Sequence, residues 1–210
     1  GHLITTGVQN TLIGSLAGDA LTTGNLNVAV GMHALGGDTL GSRSTALGYS
    51  TLLAQNFTTA TDVYNVAVGY EAGKSVTTGI RNVLIGGLVG DALTDADQNV
   101  AVGYGALTAD TLGSNSVAVG NNALENQNFT TATNTFNVAV GANAGNTITT
   151  GVQNTIVGAR AGDALTDADY NVAIGEQALT TDTKGNRSVA VGFGALAIQN
   201  FTTSTDAYNT

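Results

Sequence analysis

The chain has 210 residues, enough for one domain with a sizeable core, and it holds 29 glycines but no cysteine, proline or tryptophan. The lack of cysteine excludes a disulfide framework and thiolate metal sites. Fifteen acidic against six basic residues give a net charge of −9, which disfavours contact with nucleic-acid phosphates or an anionic membrane. No apolar run approaches the roughly 18 residues that span a bilayer.

Taken in chain order, one five-residue element recurs eleven times: NTLIG at 10–14, NVAVG at 27–31, STALG at 44–48, NVAVG at 65–69, NVLIG at 82–86, NVAVG at 99–103, SVAVG at 116–120, NVAVG at 137–141, NTIVG at 154–158, NVAIG at 171–175 and SVAVG at 188–192. Period-2 alternation rich in β-branched residues predicts a short strand in each. The closing glycine permits a positive φ, so the chain can turn there without steric cost. Successive closing glycines are spaced 17, 17, 21 and 17 residues apart, and the series then repeats, giving a 72-residue super-repeat. Thus ITTGVQNTLIG at 4–14 returns as VTTGIRNVLIG at 76–86 and ITTGVQNTIVG at 148–158.

Fixed-period self-similarity marks a solenoid, and 17 residues are too few for the helix pair of about 30 or more residues in helical repeats. The expected fold is all-β: a parallel β-solenoid of about twelve rungs, each with two short strands and two turns. Rungs stacked about 4.8 Å apart make a rod of roughly 55 Å. Residues 1–210 read as a single repetitive segment, a fragment of a longer fibrous protein.

A second column supports stacking. Four residues past each closing glycine stands Gly or Leu (Gly18, Leu35, Leu52, Gly73, Gly90, Leu107 and onward). Where it is Gly, an aliphatic residue follows three places on (Leu21, Val76, Leu93, Ile148, Leu165). Where it is Leu, that later place is polar (Asp38, Gln55, Asp110, Gln127, Asp182, Gln199). The exchange predicts one interior slot filled from either side of the turn, because leaving it empty or filling it twice would both cost stability. The Asn opening most motifs is expected to bond to the Asn one rung away in a stacked amide ladder. Ser44, Ser116 and Ser188 replace it, and Arg43 and Arg187 beside two of them are expected to compensate.

The stretch NVAVGYGALTADTLGSNSVAVGNNAL at 99–124 resembles the NTAVGxxAL-type repeats of phage tail fibres. It is also similar to the head repeats of YadA-type trimeric autotransporter adhesins, and the likeness covers essentially the whole chain. The resemblance implies a left-handed β-roll in a rigid, elongated, host-facing homotrimer, intertwined or side by side, and no catalytic residue.

Trimerisation also has an argument from the residues. If Val28 and Val30 face into the coil, Ala29 faces out, and its column contains no polar side chain. Ala29, Ala46, Ala67, Ala101, Ala118, Ala139, Ala173 and Ala190 are therefore trimer-interface candidates, because a solvent-facing strand position would normally be polar.

Candidates for chemistry are few. His2 and His33 are isolated, and no nucleophile elbow, phosphate loop or zinc-protease motif is present. The pairs Asp95/Asp97 and Asp167/Asp169 read as solvated turn carboxylates rather than calcium ligands. No catalytic, cofactor or metal site is expected. The four-residue insertion, held within 55–63, 127–135 and 199–207, is expected to protrude most. Its Phe57, Thr58 and Thr59, with Phe129, Thr130, Thr131, Phe201, Thr202 and Thr203, are the receptor-contact candidates. Each Phe reads first as a pin folding the loop back onto the coil, and alternatively as an exposed sugar-stacking platform.

These features point to a structural and adhesive segment of a viral tail fibre on the virion, its partners being further copies of itself and a host-surface glycan or protein. The alternatives are the head of a bacterial surface adhesin and, through a recurring Thr column (Thr5, Thr22, Thr39, Thr77, Thr94, Thr111, Thr149, Thr166, Thr183), an ice-binding solenoid.

Overall fold

A computed structural model describes residues 1–210. The fold is a parallel β-solenoid without helix, of about twelve turns at the expected 17-residue spacing. Eleven three-residue strands, from Thr11–Ile13 to Val189–Val191, form one continuous parallel sheet in chain order. Register follows the repeat: Val28 pairs with Thr45, 17 residues on, whereas Thr45 pairs with Val66, 21 residues on, across the insertion. A second strand is not present in every rung. It occurs only beside the insertions, where Gly41–Ser42 pairs with Thr61–Asp62, Gly113–Ser114 with Thr133–Asn134 and Gly185–Asn186 with Thr205–Asp206. The other rungs close through turns whose N–H and C=O groups bond to the rung beside them, as Thr22 N does to Thr39 O at 3.0 Å.

The orientation of the strands reverses the expectation made for the alanine column. Ala29, Ala46, Ala67, Ala101, Ala118, Ala139 and Ala173 are wholly buried, and Ala190 nearly so, inside the hydrophobic core of their own chain. They face the coil interior and cannot meet another chain. The valines on either side, such as Val28 and Val30, face outward and are half-buried. The reason is the narrowness of the coil. The inner strand position confronts the opposite wall, where Leu35, Leu52, Leu107 and Leu124 are fully buried, and only a methyl group fits between them. Leu84 stands in this column because glycines leave it room: a Cβ on Gly73 would lie 2.6 Å from one Leu84 methyl, and one on Gly90 2.9 Å from the other. Ile156 and Leu12 occupy the equivalent spaces beside Gly145, Gly162 and Gly18.

The interior slot is likewise more specific than a simple exchange. In glycine rungs Leu21, Val76, Leu93, Ile148 and Leu165 are fully buried as expected. In leucine rungs the later residue is not expelled to solvent, since Asp38, Gln55, Asp110, Gln127 and Asp182 are also fully buried. Side chains enter from both sides of the turn, and the second is polar.

Each coil closes through left-handed corners that the residue types do not announce. Around one rung Leu26, His33 and Leu35 have φ of 59°, 61° and 52°. Left-handed geometry costs an ordinary L-residue roughly 1–2 kcal/mol, and the cross-rung hydrogen bonds and stacked core offset it.

Candidate functional site

Two surfaces and one buried network stand out once the rungs are stacked. The network begins with the asparagine ladder. Asn82 Oδ1 accepts the backbone N–H of Asn99 at 3.0 Å, while Asn82 Nδ2 donates to Ala96 O at 2.8 Å. The pattern recurs from Asn27 to Asn171, so the ladder runs chiefly from side chain to backbone. Direct amide-to-amide contacts are longer, 3.2 to 3.4 Å.

A serine side chain is too short to reach the next motif residue, and a buried glutamine makes that connection. Gln55 Nε2 donates to Ser44 Oγ at 3.0 Å and to Asp38 Oδ2 at 2.6 Å, and Gln55 Oε1 accepts from Asn65 Nδ2 at 2.9 Å. Gln127 does the same with Ser116, Asp110 and Asn137. The arginines expected to fill this role point outward instead: Arg43 pairs with Asp62 at 2.8 Å and Arg187 with Asp206 at 3.1 Å.

The second oxygen of each buried aspartate holds the start of the insertion. Asp38 Oδ1 accepts the N–H groups of Gly41 and Phe57, and Asp110 Oδ1 those of Gly113 and Phe129. Burial pushes the Asp110 carboxyl above the ordinary carboxylate value, against the pull of Gln127 and of the Phe129, Gly113 and Thr111 N–H groups. A carboxyl so raised stabilises the fold below the ordinary aspartate pKa and loses that contribution as pH rises through its folded value. Asp110→Asn also turns an amide nitrogen toward that of Gln127, a mismatch of about 1–3 kcal/mol. The deficit of this variant is therefore expected to be larger at pH near 4.5 than at pH near 7, measured as urea midpoints against the parent.

The insertions are the first of the two surfaces. Phe57 and Phe129 are only 7% and 6% exposed, so they pin the loop and offer no platform for a sugar. Phe201, in the terminal coil, is half-buried. Thr58, Thr59, Thr130, Thr131, Thr202 and Thr203 are exposed. The aromatic rings open to solvent are others, which the loop-centred reading missed. Tyr64 and Phe136 follow the insertions, with the Arg43 guanidinium 5.7 Å from the Tyr64 ring centre. Arg187 lies between Tyr170 and Tyr208, and Tyr49 stacks on Tyr70 at 5.3 Å. The signal was available, because these residues directly precede the motif Asn or directly follow the closing Gly.

The outer face of the long sheet is the second surface, built from the positions flanking each buried Ala, Leu or Ile. Its side chains are Val, Ile, Leu and three Thr, all half-buried or exposed.

The remaining sequence candidates are dispersed. Asp95 and Asp97 each accept a hydrogen bond from the preceding rung, from Thr78 Oγ1 and Ile80 N, and Asp169 accepts from Val152 N. Asp167 pairs with Lys184 at 3.3 Å. In the Thr column, the hydroxyls of Thr5, Thr22, Thr94, Thr149 and Thr166 donate to the carbonyl of the next rung's Thr, which commits their hydrogens within the rod. No helix is long and apolar enough to cross a membrane.

The class this architecture defines is the parallel β-solenoid. The chain matches no family model, and neither a curated protein nor a solved structure is significantly similar to it.

Proposed function

We propose that the chain is a rigid structural and adhesive segment of a viral tail fibre that attaches the virion to its host, with three copies of a left-handed coil side by side. The observation that carries this reading is the division of labour within each rung. The closing glycine is the same in every rung and the inner column is Ala, Leu or Ile throughout, whereas the exposed turns differ from rung to rung. Such a scaffold spaces exposed loops at fixed intervals. Loops on a rigid scaffold are where binding residues concentrate.

Four rungs separate successive insertions, so Thr58/Thr59, Thr130/Thr131 and Thr202/Thr203 recur about every 19 Å. Weak contacts at three matched sites reinforce one another, and linked sites gain roughly 10²–10⁴ over a single one. A host-surface glycan with repeated units suits this display. Replacing all six threonines by alanine is expected to lower binding to host cells or arrayed glycans about a hundredfold, with the circular dichroism unchanged. Full binding by the folded variant would remove the loops as the attachment site.

A further inference from the structure

We infer that the outer face of the eleven-stranded sheet is the surface on which copies of this chain meet. The inference names the contact for the assembly proposed above and rests on that reading only for the number of copies. The face comprises two parallel columns of side chains running the length of the sheet, among them Val68, Ile85, Val102, Val119 and Val140. Not one residue of the eleven strands is charged. Ile85, Val140, Ile174, Val189 and Val191 are 37–64% exposed, and nothing in the chain covers them. Isolated apolar residues on a surface are ordinary, but a long apolar ribbon, broken only by Thr11, Thr45 and Thr155, marks an interaction site.

The margins of the ribbon have the make-up of an interface. On the side following the closing glycines stand Met32, Tyr49, Tyr70, Tyr104 and Phe193, all at least 40% exposed. On the side preceding the motif stand Tyr64, Phe136 and Tyr170, also exposed, with Arg43 and Arg187 among them. Tyr, Phe, Met and Arg are the residues enriched where proteins meet. The footprint is also adequate. Eleven strands about 4.8 Å apart extend close to 50 Å, and seven residues across, at about 3.3 Å each, span about 20 Å. That gives on the order of 1,000 Å² per copy, against about 800 Å² per partner in a stable complex.

The occupant follows from the spacing and the charge. A partner must offer a straight apolar ladder with the same rung repeat over the whole length. A second copy has such a ladder by construction, and the valine ridges of one can seat in the grooves of the other. The net charge of −9 would oppose self-association elsewhere, but no acidic side chain stands in these strands, so like-charged copies can approach there. The same negative charge argues against an anionic bilayer as the occupant.

The test is the mass of the purified chain by multi-angle light scattering, for the parent and for a Val68→Asp, Val102→Asp, Val119→Asp triple variant. The parent is expected at a multiple of 20.9 kDa and the triple variant at 20.9 kDa, with the same β circular dichroism. If the aspartates unfold the chain, Val68→Thr, Val102→Thr and Val119→Thr keep β-branched residues in the strands and should raise the dissociation constant at least tenfold. A parent at 20.9 kDa throughout the concentration range, or assembly unaltered in the folded variants, would overturn the inference. So would a monomer that binds zwitterionic lipid vesicles through this face. An assembled parent that binds no host cell or glycan would remove the fibre reading and leave the self-contact intact.

Discussion

Gly86→Ala is expected to abolish folding of the rod, or to destabilise it by more than about 4 kcal/mol, beyond the range of most single substitutions. Gly86 has φ of +142°, a region that L side chains rarely adopt, and a Cβ there would overlap the carbonyl oxygen of Gly103 on the next rung. The obstacle is backbone, so no side-chain rotation relieves it, and separating the two rungs would break the sheet where Val83–Ile85 pairs with Val100–Val102. Gly192 closes the last strand of the long sheet and provides the control. Its φ is +122°, but an added Cβ would have no other atom within 4 Å. Gly192→Ala should therefore cost only the backbone strain, about 1–3 kcal/mol. Urea unfolding followed by circular dichroism compares the two. Equal losses would show that strain rather than rung contact makes glycine necessary in this column.

Asn82→Ala is expected to cost about 2–6 kcal/mol, from two orphaned backbone groups at about 1–3 kcal/mol each. The N–H of Asn99 loses its acceptor and the carbonyl of Ala96 loses its donor, both deep in the rod where water cannot replace them. Because a solenoid holds together through contacts between neighbouring rungs, the damage should concentrate there. Hydrogen exchange should accelerate most at the Asn99 amide and its adjoining rungs. Gln98→Ala, at the exposed neighbouring residue, should change stability by less than about 0.5 kcal/mol. A small effect of Asn82→Ala, with Asn99 still protected, would mean the ladder is not a principal support of the stack.

Much of this architecture was legible in the residues. Gly31 and Gly48 announced equivalent turns by their spacing, and the 21-residue interval placed the extra residues within 55–63. Pairing of Gly41 with Thr61 and of Thr45 with Val66 puts them there. The direction of Val28, Ala29 and Val30 was not legible. Alternation specifies that one set of side chains faces in and the other out, but not which, when both sets are apolar. Here burial follows volume rather than hydrophobicity, because the coil is too thin for valine at every rung.

The role of Gln55 was hidden for a related reason. Asp38 and Gln55 look like solvated turn residues until stacking brings each within reach of the other and of Ser44. Similarly, Leu26 and Tyr64 carry no mark of a left-handed corner, since neither residue type favours one.

Local chemistry by itself determined the parallel solenoid, its 17-residue rung, its 72-residue super-repeat and the position of each insertion, because a periodic chain can satisfy its backbone only by repeating the same turn. Only the tertiary structure decided which face is core, which aromatics are exposed and where the buried carboxylates find their donors. Those outcomes depend on the width of the coil and on contacts between residues 17 to 21 positions apart, distances that no local preference encodes.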